Sequence, residues 1–362
     1  MRLFWLLNLA SGFLILATLL PLWRREVWWV RGWDFPRLQL AWLAGVLLLL
    51  QIALLDITST LGLGLIFATA ACLGYQLWWI FPYTPLARRE VLSSDTCDER
   101  NSLAMLTANV LTTNRQAARF LALVDEMSPD IVVTLESDAW WQDQLDALEP
   151  RYPHTLKCPL DNLYGMHVYS RLPLHDAQVD YLVEKDVPSM HAMVELRSKQ
   201  YVRVHFLHPA PPSPTENEAS SERDAELIMV AKSLDGYRKP VVVTGDLNDV
   251  AWSETTRLFR KISGLLDPRV GRGMYNTYHA GLPLVRWPLD HLFHSEHFTV
   301  RSLRRLAPFG SDHFALYGKL VLDSRYVGEQ DGLESDKDDE AWAEEKLAQE
   351  NVDPSDVPVP RV

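Results

Sequence analysis

Three apolar segments crowd the first 85 residues and leave the chain little structural choice there. Leu3 to Leu22 is broken only by Asn8, Ser11 and Thr18, and similar runs cover about 38–55 and about 61–81. Each approaches the roughly 20 residues that a helix needs to cross a bilayer. In hydrocarbon a lone segment satisfies its backbone hydrogen bonds only as a helix. A cleaved signal peptide would account for the first run alone. A buried soluble hairpin would explain the apolarity but not the flanking Trp23, Trp28, Trp29, Trp33, Trp78 and Trp79, since indole rings favour the membrane interface. Residues 1–85 are therefore expected to form a membrane anchor of three transmembrane helices.

Charge divides the remainder. The chain carries −12 overall, but 323–362 hold 13 acids against 4 bases, which leaves only −3 for residues 1–322. No strongly basic nucleic-acid footprint is present. Residues 86–100 read as a linker, and the acidic segment 323–362 as a disordered tail with too few apolar residues to offset its ordering entropy. By the positive-inside rule, Arg24, Arg25, Arg31 and Arg37 would place the first loop and the following domain in the cytoplasm. Arg2 and the terminal amine pull the other way, and the sequence leaves the side open. The three cysteines form neither a disulfide framework nor a metal cluster; Cys97 and Cys158 would pair only in an oxidising compartment.

Between 101 and 322, strand and helix signals alternate. Ser102–Asn109, Ile131–Glu136, Tyr164–Ser170, Ala192–Leu196, Val202–His208, Val241–Thr244, Pro288–His294 and Phe314–Leu322 read as strands. Asn114–Met127, Glu222–Leu234 and Trp252–Lys261 read as helices. Strands outnumber helices, which favours an α+β fold with mixed sheets. Chemical groups fall at strand ends: Asn109, Glu136, His208, Asp246 with Asn248, Asp290, and Asp312 with His313. A lone Asp or Asn after a strand is usually turn chemistry, and a lone Glu is usually solvated. Their joint recurrence at strand ends is what points to a site. Asp246 and Asn248, two apart, are expected to share a strand face.

The elements Asn109-Val, Leu135-Glu136-Ser, His208-Pro, Gly245-Asp-Leu-Asn248, Leu289-Asp290-His-Leu-Phe and Gly310-Ser-Asp-His313 together resemble the endonuclease/exonuclease/phosphatase (DNase I-like) superfamily. Trp252-Ser, Leu266-to-Gly273 and Arg286-Trp-Pro-Leu-Asp290 look like its YafD-like bacterial branch, whose members often carry an N-terminal membrane anchor. The resemblance implies a four-layer αββα sandwich and a multi-pass protein of the bacterial plasma membrane. It also implies hydrolysis of a phosphodiester or phosphomonoester by in-line attack of water.

Hard oxygen ligands suit Mg²⁺, with Mn²⁺ possible, rather than zinc. Glu136, Asp312 and Asn109 are the expected metal shell. Asp246 would activate water and Asn248 would hold that water or a phosphoryl oxygen. His313 and His208 would donate to the phosphate, with Asp290 orienting His313. Asn109, Arg171 and Arg286 are expected to touch substrate, as are Arg269 and Arg272, because arginine grips phosphate bidentately. Ser311 lacks the nucleophile-elbow context. The competing reading is a non-catalytic, membrane-tethered binding module that retains the fold. Nucleic acid, a lipid headgroup or a small phosphate ester would all suit the site. The bilayer is the expected partner of the anchor, and nothing calls for a protein partner.

Overall fold

The computed structural model describes residues 2–56, 58–96 and 98–361, so a Cys97–Cys158 pairing lies outside the described residues. Helices α1 (Arg2–Leu19), α3 (Arg37–Leu54) and α4 (Thr60–Ile80) pack as an apolar bundle, with the one-turn helix α2 (Trp28–Arg31) between the first two. Three helical spans, Trp5–Leu22, Arg37–Leu54 and Thr60–Tyr83, are long and apolar enough to cross a membrane. Polar side chains face the bundle interior: Gln51 donates to Ser11 Oγ at 2.8 Å and Thr69 Oγ1 at 3.0 Å, and Gln76 to Thr18 Oγ1 at 3.1 Å. Such bonds hold apolar helices together where lipid removes the hydrophobic drive.

The rest folds around two sheets. One contains β1 (Ser102–Asn109), β2 (Ile131–Leu135), β3 (His154–Cys158), β4 (Met166–Ser170), β10 (Phe298–Arg305) and β11 (Leu316–Leu322), in the order β10-β11-β1-β2-β4-β3. The other runs β5-β6-β7-β8-β9, with β5 (Leu174–Asp180), β6 (Ser189–Glu195), β7 (Tyr201–Leu207), β8 (Val241–Asp246) and β9 (Asp290–His294). Leu103 and Met105 of β1 meet Val242 of β8 in the inter-sheet core. Ala104, Leu106 and Ala108 point outward onto α5 (Ala117–Met127) and α6 (Ala139–Leu145). Val241 and Val243 likewise face α7 (Ser221–Lys232) and α8 (Glu254–Ser263). Both faces of these strands are covered, so they read as continuous apolar runs. The result is the expected αββα sandwich.

Pairing direction gathers the strand ends. β1 and β2 are parallel with Asn109 opposite Leu135, and β7 and β8 are parallel with Leu207 opposite Gly245. Antiparallel β9 places Asp290 opposite Asp246, and β11 begins opposite Thr107. The Thr107 and Thr244 hydroxyls bond at 2.9 Å and tie the two sheets together beneath this end. Gly245 makes the pairing possible: its φ is 153°, and a Cβ there would lie 1.8 Å from the Leu207 carbonyl oxygen. Gly245→Ala should therefore cost about 3 kcal/mol or more. The thermal midpoint of the detergent-solubilised chain checks this; an unchanged value would mean that the β7–β8 approach is looser than described.

The structure departs from the sequence reading in several places. The helix expected from Asn114 starts at Ala117, because the Asn114 side chain accepts from the Gln116 N–H at 3.1 Å and forms a turn instead. Strands β3, β5 and β10 were not anticipated; β3 and β10 are edges with charged or half-exposed residues, and β5 carries a bulge, all of which blur alternation. The segment read as a linker lies along β10, with Ser94 N–H on the Val300 carbonyl at 2.9 Å and Val91 in the core.

The tail differs most. Instead of disorder, α9 (Lys337–Glu350) docks on α7 and α8 through Ala343 and Leu347. Few apolar residues suffice because cations await its acids. Lys232 meets Glu340 at 2.6 Å and Glu344 at 3.0 Å, and Lys261 meets Asp339 at 2.6 Å. Composition counted the tail's charges without the partners that neutralise them.

Candidate active site

Five of the strand-end groups converge into one buried cluster. Asn109 Nδ2 donates to Glu136 Oε1 at 2.7 Å and to Asp246 Oδ2 at 3.2 Å. His313 lies between two carboxylates, with Nδ1 2.8 Å from Asp290 Oδ2 and Nε2 3.5 Å from Asp246 Oδ2. Burial works against a charged imidazole, but Asp246 and Asp290 outweigh it and raise the His313 pKa to about 10. Burial likewise opposes the Asp246 carboxylate, yet the neighbouring His313 holds its pKa below the usual range. The pair is therefore an imidazolium facing a carboxylate. Asp290 is itself placed by its backbone N–H on Thr277 Oγ1 at 3.2 Å.

Glu136 follows the last residue of β2 in a left-handed conformation, φ 56°, which a side chain rarely adopts. Thr112 Oγ1 holds its carbonyl at 2.7 Å. That turn aims the carboxylate across the sheet end, where burial lifts its pKa to about 7 although Asn109 donates to it. Its second oxygen, Oε2, has no hydrogen-bond partner among the described residues. Local strain of this kind is typical of functional turns.

Asn248 does not share a strand face with Asp246 as the spacing suggested. β8 ends at Asp246, and Asn248 sits in a turn with φ 51°, its N–H capping Asp246 Oδ1 at 2.9 Å. Its side-chain amide donates to the Pro209 carbonyl at 2.9 Å, which leaves the side-chain Oδ1 open to accept, with no hydrogen-bond partner among the described residues. His208 is buried against Tyr164, ring centroids 5.6 Å apart, and burial lowers its pKa to about 4, so it is neutral near pH 7. Asp312 is half-buried at the rim, and its Oδ1 accepts from Ser311 at 3.3 Å. Ser311 also donates to the Asn109 carbonyl at 2.8 Å, a structural use of the hydroxyl.

None of the four expected arginines hydrogen-bonds or ion-pairs with a side chain of this cluster among the described residues. Arg171 is at the far end of the sheet: β4 runs antiparallel to β2, so Ser170 pairs with Ile131, the first residue of β2, and the Arg171 guanidinium lies over the Tyr152 ring at 4.6 Å. Arg269 is buried in a fork with Asp267 at 2.8 Å and contacts His291 Nδ1 at 2.7 Å, where it holds β9. Arg272 donates to the Val91 carbonyl at 2.7 Å. Arg286 donates to the loop carbonyls of Ala280 at 3.0 Å and His279 at 3.3 Å.

Tyr278 carries no sequence signal of its own, and Arg223-Asp224 at a helix start reads equally as a substrate contact or an ion pair. Tyr278 packs its ring on His313 at 4.9 Å and is stacked on Trp287 at 6.0 Å. Arg223 is buried, paired with Asp224 at 2.7 Å, and donates to the Asn248 carbonyl at 2.8 Å, which fixes the turn after β8. The bundle touches the same region: Trp252 Nε1 donates to the Asp34 carbonyl at 2.9 Å, and Phe35 meets Trp287 at 5.6 Å.

The donor set fits a hard divalent cation. Ligand atoms of Asp246, Asp290 and His313 lie within 4.8 Å of one another. A protonated His313 has no lone pair to offer, however, so the unpartnered Glu136 oxygen, with Asn109 beside it and the Asp312 carboxylate near enough to help raise the Glu136 pKa, is the better seat for the ion.

Comparisons with known proteins agree with this architecture. Residues 106–313 match the model of the Endonuclease/Exonuclease/phosphatase family. Among solved structures, an endonuclease/exonuclease/phosphatase from Beutenbergia cavernae DSM 12333 superposes with a TM-score of 0.51 and 19% identity, covering 62% of this chain and 72% of that one. The human Nocturnin catalytic domain with bound sulfate anion gives 0.50 and 17%, covering 62% and 95%. An endonuclease/exonuclease/phosphatase from Bacteroides vulgatus gives 0.50 and 15%, covering 61% and 99%. No curated protein sequence matches significantly. At these identities the neighbours speak to the fold alone, whereas the family model spans more than half of the chain and reaches from β1 to His313. The chain belongs to the endonuclease/exonuclease/phosphatase family.

Proposed function

We propose that this protein is a membrane-anchored, divalent-metal-dependent phosphoesterase of the bacterial plasma membrane. The observation that carries the reading is the buried convergence of Glu136, Asn109, Asp246, Asp290 and His313 at one end of both sheets. Glu136, with Asn109 and Asp312, would hold Mg²⁺ or Mn²⁺. When bound, the ion polarises a phosphoryl oxygen and offsets developing charge.

The chain's own groups do the rest. Asp246, kept ionised, orients a water for in-line attack and takes its proton. The free oxygen of Asn248 accepts from the same water. His313 donates to a phosphoryl oxygen as charge builds, and Asp290 keeps the ring oriented. His208 adds a neutral donor. Water's oxygen bonds to phosphorus, the ester P–O bond breaks, the departing alkoxide takes a proton from solvent, and Asp246 returns the attacking water's proton to solvent.

Turnover of bis(p-nitrophenyl) phosphate and p-nitrophenyl phosphate by the full-length chain, with Mg²⁺, Mn²⁺ or chelator, tests the reading. Glu136→Gln should raise the Mg²⁺ concentration for half-activation about tenfold, ~1.4 kcal/mol of ion binding. An unchanged titration would remove Glu136 from the metal shell. Absence of turnover in a folded, metal-binding chain would favour the binding-module alternative.

A further inference from the structure

Outside the active site, a group of cations stands without counter-charges. Arg272, Arg304 and Arg305 line an open cavity of about 540 Å³ with Tyr275 and Asn276. Arg89 flanks it, its Nη1 and an Arg272 Nη2 sharing the Ser93 hydroxyl at 3.0 and 3.1 Å. None of these four forms an ion pair among the described residues, although acids outnumber bases by 47 to 35 in the chain. Elsewhere the protein neutralises cations readily, as the lysines under α9 show. Partial burial, and then repulsion from Arg89 beside Arg272 and from Arg286 beside Arg305, holds both guanidiniums below their usual pKa. The positive charge is concentrated rather than spread.

The neighbouring surface is its chemical opposite. A groove of about 420 Å³ is lined by Leu38 and Trp42 from the first turns of α3, Leu77 from the end of α4, Phe81 directly after it, and Met274. Met274 borders the basic cavity as well, so the two are contiguous. Both helix ends belong to spans long and apolar enough to cross a membrane, and Trp78 and Trp79 mark the same level. A phosphate in the cavity would therefore sit at headgroup depth, roughly 5–8 Å outside the hydrocarbon. Its acyl chain would lie in the groove.

We propose that this paired surface is a binding site for one anionic phospholipid, with the phosphate on Arg272, Arg304 and Arg305 and an acyl chain against α3, α4 and Met274. Lipid is the occupant because the groove is continuous with the spans and because arginine donors match phosphate oxygens bidentately. A soluble phosphate would use only the basic half. A nucleic-acid strand would leave the apolar half empty and meet the acidic remainder of the chain. The site does not depend on catalysis, so it stands or falls apart from the phosphoesterase reading.

The test uses the full-length chain in neutral detergent, with lipid retention read by native mass spectrometry and by thermal midpoint. Phosphatidylglycerol should bind at least about tenfold tighter than phosphatidylcholine of the same chains, ~1.4 kcal/mol. It should also exceed glycerol phosphate about 100-fold. The R304Q/R305Q double variant should bring phosphatidylglycerol down to the phosphatidylcholine level. Should that variant fail to fold, the single Arg304→Gln, at an exposed residue whose guanidinium contacts Met127 Sδ at 3.8 Å, should lower retention severalfold. Equal retention of the two lipids overturns the proposal. So does glycerol phosphate binding as tightly as the lipid, or a single-stranded oligonucleotide displacing phosphatidylglycerol at lower concentration.

Discussion

Full-length protein carrying His313→Ala, or Asp246→Asn, should turn over phosphodiester at least about 10³-fold more slowly than the parent at saturating Mg²⁺, ~4 kcal/mol in the barrier. The two substitutions act on one ion pair. His313 Nε2 faces Asp246 Oδ2 at 3.5 Å, and the charge on each is what keeps the other charged in a buried site. Groups that work as a unit lose activity non-additively. The double variant should therefore be little slower than either single one. Rates of all three, beside circular dichroism to confirm folding, check the expectation. Multiplying effects would show that the two residues serve separate steps.

The second large effect concerns acid. His167, His191, His205, His208, His291 and His294 are buried within the sandwich, and burial pushes their pKa values down, to about 4 for His167, His208 and His294 and about 3 for His191 and His291. Unfolded, each would titrate near 6.5. Below that pH the unfolded chain binds protons that the folded chain refuses, so stability falls as pH drops. Glu226 and Glu136 work in the opposite sense. Burial raises their pKa values to about 8 and about 7, so they hold protons in the folded state. His313, raised to about 10, works in this opposite sense too, since the unfolded imidazole loses its proton across this range while the folded one keeps it. The six imidazoles outnumber these three groups, so unfolding takes up protons as pH falls. The thermal midpoint should fall by several degrees between pH 7 and 5.5. A flat profile would mean that these imidazoles already carry protons in the folded protein.

What the sequence made legible follows from how local each signal is. Asn109, Glu136, His208, Asp246, Asp290 and His313 each end or begin an apolar run, and a run's polarity break is visible without knowing its neighbours. The arginines were misjudged for the opposite reason. Whether Arg171 reaches the site depends on β4 pairing antiparallel to β2, which no local pattern records. Asn248 was assigned to a strand face because spacing alone cannot show that the chain turns left-handed after Asp246. The docked tail failed in the same way, since its partners Lys232 and Lys261 lie far upstream. Tyr278 and Arg223 support His313 and the Asn248 turn through contacts that only the tertiary fold creates.

One ion cluster has a consequence for biosynthesis. Lys346 of α9 is buried between Glu26, at 2.8 Å, and Asp224, at 2.6 Å, and Asp224 in turn anchors the arginine that grips the Asn248 turn. Lys346 follows Glu26 by 320 residues and Asp224 by 122. The cluster can close only after α9 has been made. A nascent or truncated chain lacking α9 presents Asp224 and Glu26 without their shared cation, so synthesis of α9 and fixing of the turn after β8 are coupled in this architecture.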